Sequence, residues 1–355
     1  MVDAMRVFRI CSAGLVFLLA VYETTGVAKD LPGGGKADLP SVSDFSKFLE
    51  SSPLRSSYMR LVFDVVQKTD VVGGTEGGAA MQPGTLKTHQ VLWVDPEGRG
   101  LRFDTIDFGK SGRAPFISST FTNGVKKGRW DSALDIEGVQ PHLEGSEEAI
   151  SHRRGGFCYI GDDVMRDPDL LYRILGMTIS GRRVVDYFGA AKPGKFNISI
   201  LDGGDAGFEV SSISKSFRFG TDGGLQSYKW TGPSLDSSGV RKLLESIVVE
   251  EYCNVGGIAL PKIVKREAEA RGIKVEAIYT LREDLSKLLS KEEFQGGSDP
   301  LLSPGVIVVD QKTNVEMTVE SAERAFNVVP HSGVQRSSEE RLEEILQERE
   351  KLRSQ

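Results

Sequence analysis

Histidine and cysteine are scarce in this chain, four and three among 355 residues. The histidines, at 89, 142, 152 and 331, lie at no metal-ligand spacing from one another or from a cysteine pair, so no metal site is read from the sequence. There is no Gly-x-Ser-x-Gly element, and Cys158 has no histidine partner implied by spacing. The acidic cluster Asp162, Asp163, Asp167 and Asp169 lacks the alternate-position ligands, central glycine and terminal glutamate of a calcium loop, and Asp167 reads as a helix cap. The glycine-rich piece Gly203–Gly207 opens no helix, so it reads as a turn and not a phosphate cradle. A basic stripe is missing too. Lys126, Lys127 and Arg129 cluster only around a turn and the net charge is -6, which excludes a nucleic-acid partner. No catalytic, cofactor-binding or metal-ligating residue is assigned, and no cofactor is expected.

The N-terminal apolar run, Ile10 to Tyr22, is about 13 residues, short of the roughly 18 to 20 a membrane-spanning helix needs. Arg6 and Arg9 precede it and Gly26-Val27-Ala28 follow it, the pattern of a signal peptide over residues 1–28 with cleavage after Ala28. The expected location is secreted or periplasmic, with at most a peripheral association with a membrane. Cys158 and Cys253 then remain, free to pair in an oxidising compartment or to stay as two separate buried thiols.

What the chain has in quantity is glycine: forty residues, about 11% against roughly 7% on average, scattered among turns. Together with 39% hydrophobic content this favours many short strands around a substantial core. The reading is mainly β, a curved antiparallel sheet or unclosed barrel with a few helices on or in it. After a flexible lead-in at 29–40, one antiparallel β domain is expected over 41–295. A loop and short added strand follow at 296–336, then a charged helix at 337–355.

Within the domain, Phe45, Phe48 and Leu49 mark a first helix, and Asp167-Pro168 opens another whose apolar face runs to Leu175. The run Arg182–Phe188 reads as a strand, and Glu283–Glu293 as a helix with Leu285, Leu288 and Leu289 inward. The clearest stretch is Ser246–Leu281, three strands joined by two tight turns. In its last strand Ile273, Val275, Ala277, Tyr279 and Leu281 share one face.

Aromatic side chains recur on successive predicted strands. Trp93, Phe103, Trp130, Trp230 and Tyr252, with Val275 and Tyr279, are candidates for the wall of a ligand cavity on a concave sheet. The alternative is that they fill a core.

Glu251-Tyr252, then Val255-Gly256-Gly257-Ile258-Ala259-Leu260-Pro261, carry a family likeness. So do strands ending in Trp after a Gly turn, Asn123-Gly124 to Trp130 and Gly223-Gly224 to Trp230. Over roughly residues 41–285 the layout resembles the LolA/LolB-like lipoprotein-carrier superfamily of bacterial envelope proteins. The resemblance implies an unclosed antiparallel barrel, a helix plugging its apolar concavity, and binding of lipid or of a lipid-modified protein. The Cys158–Gly176 stretch and the segment around Pro304-Gly305 and Asp310 have no counterpart in that pattern. The functional expectation is a non-enzymatic protein holding an apolar ligand. The alternatives are a structural or interaction module of the cell envelope with a solid core, and a hydrolase whose groups meet only in three dimensions.

Overall fold

The computed structural model describes residues 41–71, 83–96, 101–107, 116–123, 126–134, 153–161, 169–179, 182–192, 194–201, 207–235, 241–270, 273–313 and 315–328. The signal peptide, the lead-in, the helix cap at Asp167-Pro168 and the C-terminal helix expected from sequence lie outside these residues.

In chain order the elements begin with α1 (Val42–Glu50), a 3-10 turn at Pro53–Arg55, β1 (Tyr58–Val71), β2 (Gly84–Val94), β3 (Leu101–Asp107), β4 (Phe116–Thr122), β5 (Lys127–Leu134) and β6 (Arg153–Ile160). Next come α2 (Asp169–Ile174), β7 (Thr178–Ile179), β8 (Arg182–Arg183), α3 (Val184–Gly189), β9 (Asn197–Leu201), β10 (Gly207–Ser211), β11 (Lys215–Gly220) and β12 (Leu225–Leu235). The chain continues through β13 (Arg241–Val255), β14 (Ile258–Ala270), β15 (Ile273–Leu281), β16 (Lys287–Leu289), α4 (Lys291–Ser298), β17 (Leu301–Leu302), β18 (Ile307–Asp310), β19 (Val315–Thr318) and β20 (Glu323–Arg324). Among the described residues, no helix is long and apolar enough to cross a membrane.

Two compact units form, one from residues 1–98 and 166–289, the other from 99–165 and 290–355. The described part of the segment expected as a loop and short added strand, up to residue 328, belongs to the second unit.

The first unit is a curved, unclosed antiparallel sheet in the order β9-β10-β11-β12-β13-β14-β15-β1-β2, with β16 on the start of β1. Register breaks at Trp230/Thr231 on β12, and on both sides of Glu251 on β13, add local twist, which bends the long central strands. Beta-15 alternates as its sequence does: Ala277, Tyr279 and Leu281 are buried, while Ile278 between them is exposed. Helix α1 opens with a capping box in which Ser41 and Asp44 satisfy each other's backbone N–H groups, and it buries Phe45 and Leu49.

Two stretches fold otherwise than their local pattern suggests. The run Arg182–Phe188 was expected as a strand because it is β-branched and aromatic. Only Arg182–Arg183 is extended, and Val184, Val185 and Phe188 form the buried face of α3. Their spacing is helical, and packing of Phe188 on Phe45 at 5.3 Å overrides β-propensity. The helix expected over Glu283–Glu293 is replaced by β16, which pairs with Tyr58–Arg60, and by α4, which starts after Ser290. The signal for that start is a capping box, Ser290 with Glu293.

The second unit orders its strands β3-β4-β5-β6-β18-β19. All neighbours are antiparallel except β6 and β18, which run parallel from Phe157 opposite Ile307. Its core joins Phe121, Trp130 and Cys158 to Leu302, Val306, Val308, Val319 and Phe326, with the rings of Phe121 and Phe326 edge to face at 5.1 Å. A two-stranded ladder, β17 with β20, closes the segment.

Candidate ligand-binding site

The strand registers of the first unit place one residue from every strand on a single rank. Ile198, Val210, Phe217, Tyr228, Ile247, Arg266, Ala277, Gln67 and Leu86 stand opposite one another in turn from β9 to β2. Ile198 through Ala277 are buried, while Gln67 and Leu86 are half-buried. Helix α3 lies on the apolar end of this rank, with Phe188 edge-on to Phe217 at 5.7 Å and close to Phe196 at 5.2 Å. Helix α1 joins it, Phe45 meeting Phe208 at 5.5 Å and Phe219 at 5.6 Å. Two short helices therefore cover an aromatic inner face.

At the middle of the rank the face turns ionic. Arg266 donates from Nε to Glu245 Oε1 at 2.8 Å, and Arg173 of α2 pairs with the other oxygen of Glu245. Glu245 is 2% exposed. The Arg173 guanidinium also lies over the Tyr228 ring, 6.0 Å from its centre. Burial pushes the neighbouring Tyr279 phenol up in pKa. The cluster ties α2 to the inner face, because a buried carboxylate separated from its partners would be strongly destabilising.

The seven residues expected to line a cavity do not converge. Trp230 and Val275, both half-buried, do share the next rank through Glu245 and Ala268, and Tyr279 lies on the same face between Val264 and Val65. Tyr279 is only 2% exposed and belongs to the packed interior. Trp93 stands opposite Arg60, on the other face of β1, with the guanidinium 5.8 Å from its ring centre. Tyr252 is 38% exposed and its hydroxyl donates to the Leu225 carbonyl at 2.7 Å. Phe103 and Trp130 belong to the second unit. Trp130 fills that unit's core and donates from Nε1 to the Gly155 carbonyl at 3.0 Å.

The disulfide considered from sequence is not formed, and both cysteines are free thiols. Cys158 is committed to the second unit's core, between Trp130 and Val308 on the flanking strands. Cys253 is half-buried on β13 of the first unit, where burial and then the Glu283 charge raise its thiol pKa.

Sequence reading passed over Arg55, which fastens the covering layer. It is 7% exposed and donates to the carbonyls of Leu49 at 3.3 Å, Gly176 at 2.7 Å and Gly223 at 2.9 Å. Those carbonyls belong to the end of α1, the turn after α2 and the β11–β12 hairpin. Two further bonds reinforce the attachment, Ser46 Oγ to the Val185 carbonyl at 2.9 Å and Ser52 Oγ to the Asp222 carbonyl at 2.7 Å. Gly223 has φ +79°, and a Cβ there would sit 3.1 Å from both the Arg55 guanidinium and Ser52, so the hairpin needs glycine for conformation and for space. Burial lowers the Arg55 pKa to about 10 against the raising effect of Asp222. A cleft beside Arg55 is also lined by Asp95, Tyr172, Met177, Thr178, Arg183 and Val185.

Fold and site together define a β protein whose open sheet carries an apolar inner face under a helical cover. Neither a protein-family model nor a curated relative matches the chain. Among solved structures it is similar to a LolA superfamily protein from Nitrosomonas europaea at 12% identity and TM-score 0.31, over 72% of this chain and 97% of that one. It is also similar to a DUF1329 family protein from Desulfovibrio piger at 9% identity and TM-score 0.29, over 71% and 94%. A third is the MucA/MucB complex of Pseudomonas aeruginosa, at 8% identity and TM-score 0.20, over 68% and 94%. The first of these belongs to the superfamily that the sequence resembles.

Proposed function

We propose that the chain is a non-enzymatic secreted or periplasmic protein that binds an apolar ligand, a lipid or the acyl chain of a lipid-modified protein, on the inner face of the first unit's sheet. The observation that carries this reading is the aromatic face under α1 and α3. Helices this short are marginal by themselves and hold their place through tertiary packing, so they are replaceable covers. Alpha-1 buries Phe45 and Leu49, which contribute about 1.5–3 kcal/mol each. An acyl chain of about sixteen carbons offers roughly 12 kcal/mol at ~0.8 per methylene, before an association cost of about 4–15 kcal/mol. The close balance favours reversible loading. The extracytoplasmic setting rests on the N-terminal pattern of Arg6, Arg9 and the apolar run before Ala28.

A second reading, an interaction module with a solid interior, is favoured by the burial of Tyr279 and Trp130 in packed surroundings. Mass spectrometry of organic extracts, together with titration of a fluorescent undecanoic acid, separates the two. Carriage predicts co-purified lipid and probe fluorescence that palmitate displaces, and Phe45→Ala should increase probe binding by loosening the cover. Extracts without lipid and a probe that does not bind would leave the module reading.

A further inference from the structure

We propose that the free edge of β9 is a docking surface for a second copy of this chain, the two strands pairing antiparallel about a two-fold axis at Ser199. Among the described residues β9 is the last strand of the first unit's sheet and pairs only with β10. Alternate residues of β9 therefore direct their N–H and C=O groups outward, a ready template for another strand. Edges are ordinarily blunted by a charge, a proline or a bulge. Asn197–Leu201 has none of these, and its register with β10 runs unbroken over all five residues. The terminal strand of the second unit, β19, does carry such a charge in Glu316. Asn197, Ser199 and Ile200 are exposed. Ile200 is so at 53% although it stands opposite Phe208 and shares the apolar inner face with Ile198. The strand's own sequence names the occupant. An antiparallel copy centred on Ser199 engages all five residues, sets Ser199 opposite Ser199 and Ile200 opposite Ile198, and keeps inner face with inner face. A slip by one residue would turn each isoleucine to the wrong side. Charge agrees. In the sequence Lys192 and Lys195 precede the strand and Asp202 and Asp205 follow it, so an antiparallel copy meets opposite charge at both ends and a parallel one meets like charge. A surface that complements itself in this way forms an isologous dimer. Pairing at this edge goes beyond acyl-chain binding and does not rest on it.

The test is sedimentation equilibrium of the full chain at concentrations up to about 1 mM, with Tm measured alongside. Five paired residues fall well below a standard interface, so a weak dimer is expected, with Kd about 0.1 mM. Ser199→Lys sets like charges directly opposite each other on the axis, and should weaken the dimer about tenfold or more while leaving the Tm of dilute protein unchanged. Disulfide trapping in a Cys253→Ser background reads the register, and it decides alone if Ser199→Lys does not fold. Directly opposed residues lie about 4.5–5.5 Å apart at Cα, within disulfide reach, so Ser199→Cys should cross-link to its own copy on oxidation. Two copies of Asn197→Cys stand about 13 Å apart in the same register and should not. Any of four results overturns the pairing: a monomer at about 1 mM, an undiminished dimer in folded Ser199→Lys, Ser199→Cys that does not cross-link, or Asn197→Cys that cross-links as readily.

Discussion

The two units bury their sheets by different means. In the first, the aromatic end of a nine-strand inner face is covered by α1 and α3, fastened through Arg55, Ser46 and Ser52 to backbone carbonyls. In the second, the strands' own side chains meet those of the segment after α4, so that Trp130, Cys158 and Val308 interlock with Phe326 and Val328. A cover held by a few polar bonds can be exchanged for another apolar surface. A core closed by interdigitated strands cannot, because truncating a side chain there leaves a void. The proposed ligand binding is therefore expected of the first unit, and the second is expected to serve stability.

The strongest way to break that contrast is Trp130→Ala. Deleting a buried indole should cost about 3–5 kcal/mol, read as a lower urea midpoint, and should leave undecanoic acid binding unchanged while the protein remains folded. Loss of probe binding in proportion to loss of stability would contradict the division of roles. Next in size is Arg55→Leu, which strips the donor from the carbonyls of Leu49, Gly176 and Gly223. A loss of about 2–3 kcal/mol is expected, with probe binding increased because the cover is released. Unchanged or weaker probe binding in a folded Arg55→Leu protein would mean that the cover is not a gate.

Much of the fold is legible in the sequence because its signals are local. The alternation from Ile273 to Leu281 is written in nine consecutive residues, and Ser41 with Asp44 sets the start of α1 within four. The aromatic face is not local. Phe217, Tyr228, Ile247 and Arg266 form one rank only because the strands adopt a particular register, shifted by bulges that leave no pattern in the chain. Tyr252, Trp93 and Trp130 were therefore as good as Phe217 for a cavity wall until the register was known. Arg55 is harder still. Its function lies in carbonyls 121 and 168 residues away, at Gly176 and Gly223, and a carbonyl has no sequence signature. The division into two units is hidden for the same reason: the parallel pairing of β18 with β6 joins segments about 150 residues apart.

The finest distinction between the units is the sign of their response to acid. In the first unit, burial works to raise the Asp64 carboxyl, but the hydrogen bond and charge of His89 and the charge of Arg282 outweigh it and hold it below 3.8. In the second, burial raises Asp299 above 3.8, against the backbone N–H of Phe326 and the charge of Arg324. An unfolded chain binds protons more readily than folded Asp64, so that contribution is fully present above 3.8 and is lost as pH falls through the lower folded value. Folded Asp299 binds protons more readily than the unfolded chain, so stability is regained as pH falls through its raised value toward 3.8. Asp64→Asn should therefore lower the urea midpoint at about pH 6, with the difference shrinking as pH falls below 3.8, whereas Asp299→Asn should raise it at about pH 6, with the gain fading toward about pH 4. Both effects should be small, since both carboxyls keep contact with solvent. Two variants whose differences from the wild type carried the same sign at neutral pH would remove this contrast between the units.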